Sequence, residues 1–227
     1  MSDLQITVKC PEELIKIVEY LKKNPIRLPR GKHQGRSEST VQEEQVVRQI
    51  RKKFNITTLD HVKDPWADFY GRKECGEEYP VNIKISSLKG ADNTCGKIAL
   101  LHTFSNSSIK DLMNSDQLAK VNQWADYFEY FNENLSLEET GKDYYFLIID
   151  KSQTSNVFYT SLRGLQCVTP NGSNFPFQCN WKRNQTIVER TYKEALEFIL
   201  DSCEKSLLKS PVFTKHKNII KMKKRII

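Results

Sequence analysis

The chain has 227 residues, of which 38% are hydrophobic and 28% are charged, so it is long enough to bury a substantial core. The sequence has no apolar run long enough to span a membrane, and its first ten residues lack the apolar segment of a signal peptide. The formal net charge of +7 indicates a polyanionic partner.

Six cysteines are scattered along the chain, without a CxxC pair and without a nearby histidine cluster. This spacing excludes a zinc ribbon or a zinc finger. We therefore expect free thiols in a reducing, cytoplasmic environment. No repeats or low-complexity blocks occur, which favours a single domain.

Residues 11–23 predict a short amphipathic helix, with a proline at its start, acids in the first turn and lysines in the last. A basic loop follows over residues 27–36, where Gly31 and Gly35 allow the backbone to approach a partner closely. This loop is either a solvated surface loop or a phosphate contact or minor-groove arm. The candidate DNA-binding residues in it are Arg30, Lys32, Gln34 and Arg36.

The next predicted helix covers residues 41–54, and Ser39 or Thr40 can cap it. Glu43 lies at capping-box spacing from Thr40. It also shares the apolar stripe of this helix, whereas Glu44 lies about 100° away around the axis. Glu43 is therefore a capping partner, an acid aimed into a site, or both.

Residues 66–86 predict a β-hairpin whose two extended runs are joined by a charged turn that contains a glycine. The second run alternates apolar and polar residues, so Asn82 and Lys84 lie on its polar face. Asp68 of the first run can meet Lys84 on that face. The pair is either part of a metal-assisted hydrolytic site or an exposed pair on an ordinary amphipathic hairpin.

The second half of the chain alternates predicted helices and strands. Residues 94–104 and 116–134 have helical spacing, and the aromatic residues of 124–131 form either core or a dimer face. Residues 143–150 predict a central strand and 156–162 the next strand. The final amphipathic helix is expected over 189–209.

Residues 169–185 combine turn signals, aromatic rings, amides and cations, with a strand predicted over 175–181. They form either a polar loop around that strand or a DNA-reading segment, because Asn and Gln can bond adenine, and Lys and Arg guanine or phosphate. A basic tail over 211–227 would add non-specific attraction to phosphates. The candidate DNA-binding residues in the reading segment are Asn174, Gln178, Asn180, Lys182 and Arg183.

The arrangement of Asp68 followed by Asn82-Ile83-Lys84 resembles the catalytic hairpin of the PD-(D/E)xK nucleases, in particular type II restriction endonucleases. In that superfamily an aspartate on one strand is followed by acid-x-lysine on the next. The resemblance extends from about Arg36 to Trp181 through the segments GR, PVNIKIS, ADN and NFPFQ. It implies a restriction-endonuclease-like α/β (α+β) fold, with a central mixed β-sheet flanked by helices, as one nuclease domain over 1–227.

The resemblance also implies roles for the hairpin residues. Asp68 would bind Mg²⁺, with the backbone carbonyl of Ile83 as a further ligand and Asn82 beside it. Lys84 would hold or deprotonate the attacking water and steady the scissile phosphate.

Asn82 departs from the family pattern, which has an acid there; an amide oxygen can bind Mg²⁺ but brings no charge. Glu43 is the preferred source of the missing carboxylate. Glu44, Glu77 and Glu78 are the other candidates, unless the site is inactive.

The implied function is a sequence-specific, Mg²⁺-dependent endonuclease for double-stranded DNA. A homodimer would read a palindromic site, since two-fold protein symmetry matches two-fold DNA symmetry. The family resemblance also implies a companion DNA methyltransferase. The alternatives are a non-catalytic nucleic-acid-binding protein on the same fold and a structure-specific nuclease such as a junction resolvase.

Overall fold

A computed structural model describes residues 9–28, 36–58, 66–94, 97–108, 111–112, 124–173, 176–209 and 217–226. The helices are α1 (Glu12–Lys23), α2 (Arg36–Arg51), α3 (Lys97–Phe104), α4 (Trp124–Asn134), α5 (Tyr192–Leu208) and α6 (Lys217–Ile226). The strands are β1 (Phe69–Arg72), β2 (Glu78–Ser86), β3 (Asp92–Asn93), β4 (Tyr145–Asp150), β5 (Val157–Ser161) and β6 (Gln178–Cys179). A 3₁₀ helix covers Trp181–Asn184.

Four strands form a mixed sheet in the order β1-β2-β4-β5. β1 pairs with β2 and β4 with β5 in antiparallel fashion, whereas β2 and β4 are parallel. The parallel pair needs a long crossover, and α3 and α4 lie in that connection. The predicted mixed central sheet with flanking helices is therefore confirmed, as is β4 as a central strand in which every residue is buried.

The sheet separates two hydrophobic clusters because successive side chains of a strand point to opposite faces. One cluster lies under α1 and α2, and the other lies under α3, α4, α5 and α6. Fully buried members are Ile17, Ile50 and Ile83 in the first cluster, and Phe104, Phe146 and Leu196 in the second.

α2 begins at Arg36, earlier than the predicted start. Residues 36–51 contain no Pro or Gly, so the helix continues through the polar stretch before Val41. Thr40 therefore lies inside the helix and Glu43 lies about two turns from its start. The capping-box prediction for Glu43 is wrong, and Arg36 belongs to the helix instead of the loop.

Residues 217–226 of the predicted basic tail form the docked helix α6. Met222 is fully buried in the second cluster. Lys223 Nζ lies 2.5 Å from Asp201 Oδ1 and 2.8 Å from Glu204 Oε2. The helix is amphipathic, and burial of its apolar side holds it against α4 and α5.

Three further predictions change in detail. The rings of Tyr127, Phe128 and Phe131 are buried in the second cluster, so they are core and not a dimer face. The strand expected over 175–181 is only two residues long, because the chain turns into the 3₁₀ helix with Trp181 buried. α5 starts later than expected, because Thr191 and Glu194 form a capping box.

Five of the six cysteines lie within the described residues, and all five are free thiols as predicted. None of the helices in the described ranges is both long and apolar enough to cross a bilayer.

Candidate active site

The open end of the β1–β2 hairpin holds Asp68 beside β2. The N–H of Asp68 donates to the carbonyl of Val81 at 2.9 Å, and the N–H of Ile83 donates to Asp68 Oδ2 at 2.5 Å. Because Phe69 pairs with Val81, Asp68 lies opposite Asn82. Asp68, Asn82 and Lys84 therefore share one face of the hairpin, as the alternation predicted.

The backbone just before Asp68 is anchored by aromatic packing. The Trp66 ring stacks on Tyr144 with centroids 5.7 Å apart, and the Tyr144 hydroxyl donates to the Trp66 carbonyl. Ala67 is buried in the second cluster. These contacts fix the position from which the Asp68 side chain extends.

Helix α2 brings Glu43 within electrostatic range of Asp68 and Lys84. Burial raises the pKa of the Glu43 carboxyl to about 7, the charge of Asp68 raises it as well, and the charge of Lys84 lowers it. Glu43 follows the inward stripe of α2, whose buried members include Val46 and Ile50. Two carboxyl groups and one ammonium group from three separate segments thus lie within electrostatic range of each other.

The pKa of Asp68 is also raised above its ordinary value. Burial raises the pKa of Asp68, while the hydrogen bond from the Ile83 N–H and the charge of Lys84 oppose the shift. Asp68 and Lys84 are both partly buried, so the alternative of an ordinary exposed pair does not describe them. Ionisable groups shifted by burial and by specific charged neighbours are typical of functional sites.

Asn82 adds an unpaired acceptor to this group. Its Oδ1 is buried and has no hydrogen-bond partner within the described residues. A buried acceptor without a partner costs stability, so an atom or ion that binds it is expected. The carboxylate oxygens of Glu43 and Asp68 and the amide oxygen of Asn82 are of the ligand types that Mg²⁺ prefers.

A cluster of three or more His, Cys, Asp or Glu side chains able to hold a metal ion does not occur among the described residues. The candidate site has two carboxylates, those of Glu43 and Asp68, and Asn82 adds an amide oxygen. Its donors fit a hard cation through oxygen ligands, with less negative charge than three acids would give.

The other acids proposed to replace the missing carboxylate lie elsewhere. Glu44 is exposed and its Oε2 lies 3.3 Å from Arg48 Nη2. Glu77 pairs with Lys73 at 2.8 Å, and Glu78 pairs with Arg72 at 3.3 Å, both at the turn end of the hairpin.

The predicted DNA-binding residues divide into three groups. The loop residues Arg30, Lys32 and Gln34, Asn174 of the reading segment and the Arg36 side chain lie outside the described structure. Gln178 is engaged, because Asn171 Nδ2 donates to its Oε1 at 2.9 Å and its Nε2 donates to Asn93 Oδ1 at 3.1 Å. Asn180, Lys182 and Arg183 follow β6, and both cations are exposed.

The structure also contains a groove that the sequence prediction missed, at the carboxyl ends of β2 and β4. This strand-end groove has a volume of about 480 Å³ and lies between the turn after β2 and the 3₁₀ helix. The SSLKG turn signal after β2 could have identified one of its walls. Its lining includes Ser87, Lys89, Asp150, Asn156, Asn180 and Lys182.

Comparison of the chain with protein-family models, with curated proteins and with solved structures gives no significant match.

Proposed function

We propose that the protein is a Mg²⁺-dependent endonuclease for double-stranded DNA, with the restriction-endonuclease-like fold of the PD-(D/E)xK nucleases. The electrostatic proximity of Glu43, Asp68 and Lys84, with Asn82 opposite Asp68 in the hairpin register, carries this proposal. The mixed sheet places the hairpin next to a parallel strand, so the motif of the resemblance lies in a folded site.

The oxygens of Glu43, Asp68 and Asn82 would hold the Mg²⁺, and the resemblance adds the carbonyl of Ile83. One Asp68 oxygen already accepts the Ile83 N–H, which leaves Oδ1 for a ligand. Bound Mg²⁺ lowers the pKa of a water molecule and neutralises charge that develops on a phosphate.

Lys84 supplies the cationic part of the reaction. As an ammonium group it donates a hydrogen bond that holds the attacking water, and its charge stabilises the scissile phosphate as negative charge accumulates there. Only as the neutral amine would it accept a proton from that water. The water oxygen bonds to phosphorus while one P–O bond of the backbone breaks, and the departing sugar oxygen takes a proton from solvent. Partial burial of Lys84 strengthens these interactions relative to bulk water.

We extend the proposal to sequence-specific cleavage. A homodimer would cut a palindromic site, and a companion DNA methyltransferase would accompany it. The net charge of +7 supports a polyanionic substrate. The resemblance to type II restriction endonucleases supports the dimer and the palindrome.

A second candidate function is a non-catalytic DNA-binding protein on the same scaffold. Asn82 favours it, because an amide in place of the acid removes one negative charge from the site. The two candidates differ in whether Lys84 and Asp68 are needed for cleavage or only contribute to affinity.

The test is digestion of long, unmethylated DNA of varied sequence by purified protein, with Mg²⁺ and with EDTA. Wild type is compared with Lys84→Ala and Asp68→Asn, and with Lys23→Ala and Glu77→Gln as matched controls away from the site. We expect discrete Mg²⁺-dependent bands from wild type and both controls. Lys84→Ala should reduce the cleavage rate by about 10²–10⁴-fold, because a positioned proton-transfer group contributes that much. Asp68→Asn should also reduce it, because it removes a carboxylate ligand of the Mg²⁺.

Intact DNA in all lanes, together with a gel shift, would overturn the nuclease proposal in favour of the binding protein. Cleavage that prefers branched junctions over any linear sequence would point to a structure-specific nuclease instead. Full activity of Lys84→Ala would contradict the assignment of this site even if the protein is a nuclease.

A further inference from the structure

The strand-end groove directly continues the strand that carries Lys84. Ser87 lies three residues beyond Lys84, a distance of about 10 Å along an extended chain. Register pairs Ser86 with Asp150, so the ends of β2 and β4 form one side of the groove together. A DNA strand with its phosphate at Lys84 would extend into this groove within a few nucleotides.

The turn after β2 is held in an uncommon conformation. Leu88 has a φ of 58°, in the left-handed region that a branched residue rarely adopts. Its N–H donates to Ser86 Oγ at 3.1 Å, and its side chain is buried in the second cluster. This anchoring leaves Ser87 and Lys89 exposed at the groove.

The groove contains hydrogen-bond acceptors. Asn180 Oδ1 is buried and unpaired within the described residues. Burial would raise the pKa of Asp150, but hydrogen bonds from Ser152 and Asn156 lower it overall, so Asp150 stays ionised. These oxygens favour a group that donates hydrogen bonds and disfavour a phosphate at this point.

The cations of the groove lie on opposite walls. Lys89 extends from the turn after β2, and Lys182 extends from the 3₁₀ helix. Both are exposed, and neither forms an ion pair within the described part of the chain. A charged side chain without an acidic partner is available to a phosphate.

We propose that the strand-end groove binds the DNA next to the scissile phosphate, with Lys89 and Lys182 on backbone phosphates and Asn180 on a base edge. On binding, the Asn180 side chain turns out of its buried position, so that its unpaired Oδ1 accepts a hydrogen bond from the exocyclic amino group of adenine or cytosine in the major groove. Of the two predicted base-reading amides that the structure describes, Asn180 is thus the specificity-determining one, since Gln178 is engaged with Asn93 and Asn171. This inference rests on the proposed function.

Binding to duplex DNA in EDTA tests the phosphate contacts without cleavage. We expect Lys89→Ala and Lys182→Ala each to weaken binding several-fold. Each variant should also reduce the slope of log K against log salt by about 0.9, the value for one phosphate contact. Lys23→Ala, an exposed lysine of α1 on the other side of the sheet, is the matched control and should change neither quantity. Groove variants that behave like Lys23→Ala would overturn the phosphate assignment.

Selection of bound duplexes from a random-sequence pool tests Asn180. Wild type is compared with Asn180→Ala and with Asn55→Ala, an exposed amide outside the groove. We expect Asn180→Ala to lose preference at one base position by about 5- to 100-fold, the range for one base contact. An unchanged preference, with thermal unfolding showing a folded variant, would overturn the base-reading role.

The outcomes also separate this inference from the proposed function. If binding depends on the groove lysines but no Mg²⁺-dependent cleavage occurs, the DNA-binding role of the groove is supported and the nuclease proposal is overturned. If the groove variants cleave DNA and retain wild-type affinity and specificity, the nuclease proposal is supported and the DNA-binding role of the groove is overturned. A wild-type protein that binds no duplex DNA in EDTA or in Mg²⁺ would overturn both.

Discussion

The two ends of the β1–β2 hairpin carry similar residues in different environments. At the turn end, Arg72 and Glu78 form a cross-strand pair at 3.3 Å whose side chains are 53% and 37% exposed. At the open end, Asp68 and Lys84 are partly buried and Glu43 of α2 lies within electrostatic range of both. Burial raises the pKa values of both acids at the open end, Glu43 and Asp68.

This difference shows how to separate a functional charge from a solvated one. An exposed pair loses little hydration and contributes little stability. A buried carboxyl loses hydration, and a second carboxyl beside it adds repulsion, so the arrangement costs stability in the free protein. Such a cost is expected where the groups bind a ligand that the turn end does not bind.

The substitution with the largest expected effect is Asn82→Asp, which places an acid where the PD-(D/E)xK nucleases of the proposal have one. A third carboxylate adds one negative charge to the oxygen donors, so we expect Mg²⁺ affinity at pH 8 to rise at least tenfold. Isothermal titration calorimetry measures this affinity directly, without reference to cleavage. Asn55→Asp adds the same charge away from the site and should leave it unchanged.

An unchanged affinity in Asn82→Asp would mean that residue 82 does not face the cation. A gain of similar size in Asn55→Asp would show that net charge alone is responsible. Either result would remove the open end of the hairpin as a metal site.

The hairpin could be predicted because residues close together in the sequence determine its structure. Alternation along 79–86 fixes which side chains share a face, and register then places Asp68 opposite Asn82. The helical period likewise aims Glu43 inward with Val46 and Ile50. The start of α2 was missed because the polar residues before Val41 give no apolar signal, although they form helix.

The strand-end groove could not be predicted, because it depends on contacts between distant segments. Leu88 adopts a left-handed conformation that its residue type does not favour, and burial of its side chain stabilises it. Asn180 is brought near the end of β2 by the pairing of β3 with β6. A sequence pattern also does not show that Gln178 is engaged by Asn93 and Asn171.

Glu43→Gln tests how much the burial of the Glu43 carboxyl at the open end lowers the free energy of unfolding. The folded-state pKa of about 7 exceeds the ordinary glutamate value of 4.5, so the folded state keeps its proton to higher pH than the unfolded state. Stability from this group is therefore greatest below pH 4.5 and is lost as pH rises through 7. We expect Glu43→Gln to match wild type near pH 4 and to exceed its free energy of unfolding at pH 8 without metal by up to about 3 kcal/mol, less the part that solvent screens because the carboxyl is only partly buried.

Urea unfolding across this pH range measures the difference. Glu77→Gln, at the turn end, is the matched control and should give no pH-dependent gain. A variant that is less stable than wild type at pH 8 would show that the Glu43 carboxylate is stabilised by Lys84 more than burial destabilises it.

The smallest expected effect is the coupling between Arg72 and Glu78 at the turn end. A double-mutant cycle with Arg72→Ala and Glu78→Ala should give a coupling free energy of about 0.2–1 kcal/mol, because both side chains remain in water. The coupling should almost vanish in 1 M salt, where the screening length is about 3 Å. A coupling well above this range, or one insensitive to salt, would mean that charges at the turn end are held as firmly as those at the open end. Burial would then not distinguish the two ends, and the displaced ionisation of Glu43 and Asp68 would no longer mark the open end as the site.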